Sequence, residues 1–370
     1  MQDSNICLIY NFAQHYRLGI FKLLDDKLGV DFYFGDKMAD VKKLDYSELS
    51  HFKSELRNRR IAGPIYWQSG ALSVLFRPYK HYIILGEYFC LSTWVIALLA
   101  PILGKKIYFW THGWYGKERG MMKLFKKLFF KLAQDIFLYG NRAKELMVKE
   151  GFREDKLHVI YNSLNYDEQI SIRKELSPSK IYQNLFSNSL PVLFFIGRLT
   201  AVKKLNWAIE AIAILKRKDL NVNFCIIGEG EEKDKLAHLS HSLDLDEHIK
   251  FIGGLYDEKL IAEYIYNADI CVSPGNVGLT AMHSLVFGTP VITNNDFMTQ
   301  MPEFEAIVEG ETGGFFIDGD VSDLANTIEK CMLKYLSRDK IRNSCFAQID
   351  RYFNPNYQLK IIENVIKTNS

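Results

Sequence analysis

Several patterns that define common protein classes are missing from this 370-residue sequence. No CxxC spacing occurs among its six cysteines, so neither a zinc site of that type nor a redox pair is predicted. Basic and acidic residues nearly balance, at 46 and 44, so no global field would attract nucleic acid. Met1–Tyr10 lacks the basic region and long apolar core of a secretory signal. We therefore expect a globular protein with buried thiols in a reducing compartment.

Two further absences disfavour a dinucleotide site near the N-terminus and a membrane-spanning helix. The first predicted strand, Ile6–Tyr10, and the loop that follows it contain no GxGxxG, which disfavours a dinucleotide site there. The longest apolar run, Phe89–Leu103, is shorter than the roughly 20 residues that a membrane-spanning helix requires, and it contains Pro101. A buried helix is the better prediction for this run.

One stretch near the C-terminal end combines the features of an anion site. Asp269–Ser273 (DICVS) is typical of a short buried strand, and Leu279–Phe287 has the length and apolar spacing of a helix. The loop between them contains Gly278, which would let a bulky oxyanion approach the backbone. Free N–H groups and the helix dipole would then converge on one point, and Thr280 adds a hydroxyl. A strand–loop–helix turn that binds nothing remains the alternative.

A second stretch places cations at the end of another strand. Pro191–Gly197 (PVLFFIG) is an almost continuous apolar strand, followed by Arg198, Lys203 and Lys204. Ligands of open α/β sheets lie outside the carboxyl ends of the strands. Cations in the first turn of a helix oppose its dipole, so a bound diphosphate explains them better than a purely solvated turn does.

The motifs of this half occur in a familiar order. They read GRLTAVKK, IIGEGEEKDKL, HIKFIGG, ADICVSP, GLTAMHSLVFGTPVI and EGETGGFFIDGD over roughly residues 190–330. This succession resembles the C-terminal half of family 4 glycosyltransferases of the GT-B fold, the glycosyl transferases group 1. The N-terminal half is similar more loosely, through WTHGW at 110–114 and VIYNSLN at 159–165.

The resemblance implies an α/β protein of two Rossmann-like domains that face each other across a cleft. Residues 1–170 would form the acceptor-side domain, and residues 189–350 the nucleotide-sugar donor domain. The polar stretch 166–188 is interpreted as a linker. Residues 351–370 would form a helix that crosses back to the first domain.

The implied activity is transfer of a sugar, with retention, from a UDP- or GDP-sugar to a glycan or lipid-linked acceptor. Surface polysaccharide synthesis, of lipopolysaccharide or capsule, is the expected setting. No cofactor would be required, and the sequence shows no DxD motif of the metal-dependent type. A GT-B sugar-nucleotide epimerase and a non-enzymatic GT-B partner protein remain the alternatives.

The resemblance also suggests roles for individual residues. His112, Arg198 and Lys203 would be catalytic, with His112 orienting or deprotonating an acceptor hydroxyl. His15 and Arg17 would contact the acceptor. The donor would be bound by Gly197, Gly228, Gly278, Leu279, Thr280 and His283.

The sequence departs from the family at one pair of positions. The family usually carries two glutamates with seven residues between them, and the matching positions here are Gly275 and His283. A glycine provides no side chain for the donor sugar, so that contact would come from elsewhere, such as Asn276 or backbone amides. Glu303 and Glu305 are candidate replacements.

The segment Met121–Ala133 suggests a membrane surface. Its large apolar side chains are interleaved with four lysines, which on a helix gives a basic stripe beside an apolar one. The alternative is an ordinary amphipathic helix with its lysines in water. Because many enzymes of the resembling family use lipid-linked acceptors, we expect a cytoplasmic protein that contacts the inner face of the membrane. The lysines are Lys123, Lys126, Lys127 and Lys131.

Overall fold

The computed structural model describes residues 4–37, 41–334 and 338–369. The chain divides into two compact units. The first unit comprises Met1–Tyr166 together with Asn354–Ser370, and the second comprises Asp167–Phe353. Each unit is built on a largely parallel sheet with helices, as the family resemblance implied.

The first unit is organised around one sheet. Its described strands are β1 (Ile6–Tyr10), β2 (Asp31–Gly35), β3 (Phe52–Ala62), β4 (Ile65–Ser69), β5 (His81–Leu85), β6 (Lys106–Thr111), β7 (Asp135–Leu138) and β8 (Leu157–Val159). They are ordered β4-β3-β2-β1-β5-β6-β7-β8, and only β3 and β4 pair in antiparallel fashion. The carboxyl ends of β1, β5, β6 and β7 therefore lie along the same edge.

The strand β6 shows why the central strands are apolar along their whole length. Ile107 and Phe109 belong to one hydrophobic cluster, whereas Tyr108 and Trp110 belong to another. Alternate side chains of a strand point to opposite faces, so both faces of this sheet are covered. A strand buried on both faces needs a continuous apolar run rather than an alternating pattern.

The second unit contains an all-parallel sheet. Its described strands are β9 (Val192–Ile196), β10 (Asn223–Ile227), β11 (Ile249–Gly253), β12 (Ile270–Val272), β13 (Val291–Asn294) and β14 (Gly313–Phe316). Their order is β11-β10-β9-β12-β13-β14. The chain runs outward from β9 in one direction and then returns to the other side of β9 with β12. Ligands bind at the carboxyl edge of such a reversal point.

The helices connect the strands in both units. The described helices are α1 (Leu18–Leu28), α2 (Ala71–Val74), α3 (Leu91–Leu99), α4 (Gly120–Phe130), α5 (Asn141–Lys149), α6 (Tyr166–Glu175), α7 (Ile181–Phe186), α8 (Leu205–Arg217), α9 (Lys233–Ser242), α10 (Glu258–Asn267), α11 (Leu279–Val286), α12 (Val321–Lys334), α13 (Arg338–Tyr352) and α14 (Pro355–Thr368).

The stretch expected to be a linker is helical instead. Residues 166–188 contain α6 and α7, and the buried side chains of α6 include Gln169 and Ile172. The Tyr182 hydroxyl of α7 donates a hydrogen bond to the Tyr264 carbonyl at 2.8 Å. Only a few side chains of α6 and α7 are buried, so the sequence of these polar helices shows little apolar periodicity.

The last helix, α14, packs on the first unit. Pro355 opens it, and the Asn354 side chain accepts a hydrogen bond from the Tyr357 N–H, a typical N-cap. Ile362 is fully buried in the cluster that also contains Ile6, Leu8 and Tyr10 of β1. Gln358 donates to the Tyr161 carbonyl at 2.8 Å.

The apolar run at 89–103 forms α3 and a 3-10 turn, Pro101–Leu103. Ile96 and Ala97 are buried, whereas Leu98 and Ile102 are exposed. The prediction of a buried helix is therefore correct for one face only. Among the residues that the structure describes, no helix combines the length and the apolar character needed to cross a membrane.

Candidate functional site

Three glycines bring the backbone close together at the carboxyl edge of the second sheet. Gly197 follows β9, Gly228 follows β10, and Gly253 ends β11. A Cβ on Gly228 would lie 1.8 Å from the Gly197 carbonyl oxygen, so that position admits no side chain. The Gly228 N–H donates to the Gly253 carbonyl at 2.8 Å. Bare backbone at a strand end leaves room for a ligand to approach closely.

The N-terminus of α11 lies next to this backbone. Gly278 precedes the helix at a φ of 53°, and no side chain caps the helix. Thr280, in the first turn, donates from its hydroxyl to the Ile196 carbonyl at the end of β9 at 3.0 Å. The first N–H groups of a helix lack partners within it and carry partial positive charge, so this end of α11 can hold an anion.

Two cations stand beside that helix end. Arg198 is exposed, and Lys203 is half-buried with its ammonium donating to the Asn276 carbonyl at 2.5 Å. Burial and the nearby charge of Arg198 lower the pKa of Lys203, while Glu303 acts in the opposite direction. Neighbouring like charges favour binding of an anion that neutralises both. The structure thus brings Arg198, Lys203, Gly197, Gly228 and the first turn of α11 to one edge of the second sheet.

Gly275 is excluded from carrying any side chain. Its N–H donates to the Lys203 carbonyl at 3.0 Å, and a Cβ there would lie 2.0 Å from the Val202 carbonyl oxygen. Asn276, a candidate for the donor sugar, already donates from its side chain to the Thr299 carbonyl at 2.8 Å. The loop with Lys203 occupies the space that a glutamate would need.

His283, at the second departing position, is paired with a carboxylate from another helix. Its Nε2 lies 2.9 Å from Glu258 Oε1, and the Gln169 side chain donates to the same oxygen at 2.9 Å. Burial raises the pKa of Glu258, but the hydrogen bonds from His283 and Gln169 lower it by more, so it lies below the ordinary value. The sequence analysis missed Glu258, because 25 residues separate it from His283.

The candidate residues of the first unit differ in exposure. His15 is exposed on the 3-10 turn that follows β1, with Nδ1 3.3 Å from the Lys42 carbonyl. Arg17, at the other end of the turn, is buried. His112 follows β6, and its ring lies 4.7 Å from that of Tyr139. Burial, with the charges of Arg17 and Lys126, lowers the pKa of His112 to about 4. An imidazole with so low a pKa is a weak base, so His112 suits hydrogen bonding to a hydroxyl better than proton abstraction.

Among the described residues, no group of three or more His, Cys, Asp or Glu side chains is arranged to hold a metal ion. Arg198 and Lys203 place two cations at the carboxyl edge of the second sheet, beside the loop that precedes α11. That set of side chains fits a phosphate-bearing ligand.

Comparison with known proteins agrees with this geometry. Residues 178–345 match the family model of the glycosyl transferases group 1. An uncharacterized glycosyltransferase of Methanocaldococcus jannaschii is 28% identical over 155 residues, which make up 38% of this chain and 37% of that relative. The match therefore spans little more than a third of the relative's length.

Solved structures resemble the chain over its whole length. Anabaena HepE in complex with UDP has a TM-score of 0.72 at 15% identity, with 98% of this chain and 100% of that chain covered. The lipopolysaccharide outer core galactosyltransferase WaaB, in its apo form, has the same TM-score and identity, with 99% of each chain covered. The predicted GT-B fold and the resemblance to its glycosyltransferases are confirmed.

Proposed function

We propose, on the premise that residues 178–345 match the glycosyl transferases group 1, that the protein transfers a sugar from a nucleotide diphosphate donor to an acceptor. The observation that supports this proposal is the candidate anion site of the second unit. There the uncapped α11, Arg198 and Lys203 meet at the carboxyl edge of a Rossmann-type sheet. A UDP- or GDP-sugar is the proposed donor, and HepE, which has this fold, binds UDP.

The proposed mechanism is electrostatic. As the bond between the anomeric carbon and the diphosphate breaks, negative charge grows on the leaving oxygen. Arg198, Lys203 and the first N–H groups of α11 would stabilise that charge without rearranging. Gly197, Gly228 and Gly278 would let the donor approach the backbone, with Leu279 and Thr280 beside it. Retention of anomeric configuration is proposed from the family resemblance.

The nucleoside would lie near His283. The His283 imidazole is oriented by Glu258, which Gln169 holds in turn, and it can form a hydrogen bond with a ribose hydroxyl. On the acceptor side, His112 would orient the hydroxyl that attacks the sugar, with His15 and Arg17 as further contacts. The proposed acceptor is a glycan or a lipid-linked glycan of a surface polysaccharide, such as lipopolysaccharide or capsule.

We further propose that α4 rests on the cytoplasmic face of a membrane. Met121, Leu124 and Phe125 are 74%, 58% and 52% exposed, and Met122 and Leu128 are exposed as well. Five exposed large apolar side chains on one helix favour contact with lipid. The expected basic stripe is incomplete, because Lys126 is buried against Glu118 and four aromatic rings.

The donor site is tested by thermal unfolding with UDP, GDP, ADP and CMP. At about a hundredfold excess over Kd, a ligand adds about 2.7 kcal/mol to the stability of the native state. We expect one nucleotide to raise the midpoint of the wild type by several degrees and to have little effect on Arg198→Ala. Arg217→Ala, an exposed arginine at the far end of α8, is the matched control and should respond like the wild type.

The same experiment separates the rival functions. A cooperative unfolding transition that no nucleotide shifts would contradict the proposal and support a non-enzymatic partner. A nucleotide response that survives Arg198→Ala would refute the role of that arginine. Conversion of a bound nucleotide-sugar to its isomer, without acceptor, would support an epimerase.

A further inference from the structure

The guanidinium of Arg17 is buried without an acidic partner. The residue is 5% exposed, and its Nε and Nη1 have no hydrogen-bond partner. Within the described residues, no carboxylate forms an ion pair with it. The Glu87 carboxylate, which follows β5, accepts hydrogen bonds from the Tyr66 hydroxyl at 2.7 Å and the Asn11 amide at 3.3 Å instead. Buried charges are usually paired, so an unpaired arginine needs an explanation.

Aromatic residues surround the charge of Arg17 but do not satisfy all of its hydrogen-bond donors. The Arg17 Cζ atom lies 5.2 Å from the ring centroid of Tyr139, 5.6 Å from Tyr10, and 5.7 Å from both Tyr16 and Trp110. Rings stabilise a cation through their faces. The Tyr139 hydroxyl also forms a side-chain hydrogen bond with the guanidinium, but Nε and Nη1 stay without a partner. The four aromatic residues therefore hold Arg17 in position and leave these two N–H groups for another group.

Two ring nitrogens around this position also lack partners. Trp110 Nε1 and His112 Nδ1 are buried without a hydrogen bond. Both residues lie at the carboxyl end of β6, and Tyr139 directly follows β7, so the cluster sits at the edge of the sheet where ligands of α/β proteins bind. An indole and a guanidinium can only donate. The unpartnered N–H groups of Arg17 and Trp110 call for a ligand that brings acceptors.

We propose that Arg17 binds an anionic group of the acceptor, a phosphate or a carboxylate, whose oxygens receive its free N–H groups. The inference rests on the proposed function, because it states that the acceptor of the proposed transfer carries a negative charge. Bidentate pairing with an oxyanion is the interaction for which a guanidinium is best shaped. Of the four rings, Tyr16 alone is not buried, so the anion would enter beside Tyr16.

The experiment measures anion binding to the full-length protein at constant ionic strength. The probes are glucose 6-phosphate, glucuronate and neutral glucose, and the proteins are the wild type, Arg17→Gln and Arg17→Lys. Arg59→Gln, an exposed arginine of the same unit, is the control. We expect at least one anionic sugar to bind the wild type at least tenfold more tightly than glucose. Arg17→Gln should lose that preference, Arg17→Lys should recover part of it, and Arg59→Gln should keep it.

The outcomes separate the sources of the anion. Preference for glucose 6-phosphate indicates a phosphorylated acceptor, and preference for glucuronate indicates an acidic sugar. Equal binding of all three probes to the wild type overturns the proposal even if the Arg17 variants do not fold. An Arg17→Gln protein that folds and retains the preference also overturns it, and Arg17 would then be structural only.

A nucleotide arm keeps this inference distinct from the donor proposal. The nucleotide that stabilises the wild type should stabilise Arg17→Gln equally, because Arg198 and α11 belong to the second unit. Loss of the nucleotide response in Arg17→Gln would mean that the arginine serves the donor and would refute the acceptor assignment. Absence of a nucleotide response in every protein would contradict the donor proposal, whatever the anionic sugars do.

Discussion

Gly275 shows how one residue can fix the geometry of a site. Its amide donates to the Lys203 carbonyl at 3.0 Å, and the next amide, of Asn276, donates to the Val202 carbonyl at 3.1 Å. The two hydrogen bonds join the loop that carries Lys203 to the loop that precedes α11. A glutamate at position 275 would displace the first loop and one of the two cations. The glycine and the placement of Lys203 are therefore coupled.

We expect Gly275→Ala to lower the free energy of unfolding by at least about 2 kcal/mol, because overpacking against rigid backbone is costly. A Cβ at this position would lie 2.0 Å from the Val202 oxygen. Urea unfolding at constant m-value measures the change. The same variant should bind the nucleotide more weakly, since Lys203 must move.

Gly254→Ala is the control for this prediction. Its added Cβ would lie 3.4 Å from the Tyr256 hydroxyl, an ordinary van der Waals distance, so we expect a change within about 0.5 kcal/mol. A Gly275→Ala protein as stable as this control would show that the two loops are free to separate.

At the scale of the element, the lysines of the α4 segment are not exposed as the sequence pattern predicts. The pattern predicts that all four lysines form one solvent-facing stripe, but the structure places them in different environments. Lys126 is buried with Glu118, Lys123 forms an ion pair with Glu150 at 2.8 Å, and Lys131 is exposed. Membrane contact would thus depend more on the exposed apolar side chains than on charge.

We expect the wild type to co-sediment with vesicles that contain phosphatidylglycerol, and Phe125→Glu to bind them roughly tenfold more weakly. Loss of one buried aromatic side chain costs about 1.5–3 kcal/mol, and about 1.4 kcal/mol corresponds to a factor of ten. Leu333→Glu alters an isolated exposed leucine on α12 and should leave binding unchanged. If neither the wild type nor the variants sediment with the vesicles, α4 faces something other than lipid.

On the scale of the whole molecule, the chain leaves the first unit after Tyr166 and returns to it at Asn354. Ile362, Val365 and Ile366 of α14 complete a hydrophobic cluster whose other members include side chains of α1 and the central strands. The first unit is therefore completed only after the second unit has been synthesised.

We expect Ile362→Ala to destabilise the first unit by about 2–5 kcal/mol, the usual cost of truncating a buried isoleucine. Of the five tryptophans, only Trp207 belongs to the second unit, so a Trp207→Phe background reports the first unit alone by fluorescence. The urea midpoint of that signal should fall. Ile317→Ala, at an exposed position of the second unit, should leave it unchanged. An unchanged midpoint in Ile362→Ala would mean that α14 does not contribute to the first unit's stability.

Much of the fold and part of the site follow from short stretches of sequence. The apolar run of β9, the glycine before α11 and the cations at Arg198 and Lys203 are local patterns. Strand and helix periodicities, and the chemistry of a helix N-terminus, need only neighbouring residues to be expressed. For that reason the sequence alone determined the strand ends and the helix N-terminus that form the candidate donor site, while the fold of two Rossmann-like domains was implied by the family resemblance of its motifs.

Tertiary structure decided which distant groups meet. It paired His283 with Glu258, set Gly275 against the loop of Lys203, buried Lys126 among aromatic rings and left Arg17 without a carboxylate. Each of these depends on contacts between segments that are separate in the chain. Such contacts depend on close packing of the whole core and on the cost of burying charge. Neither can be deduced from the spacing of residues within one segment.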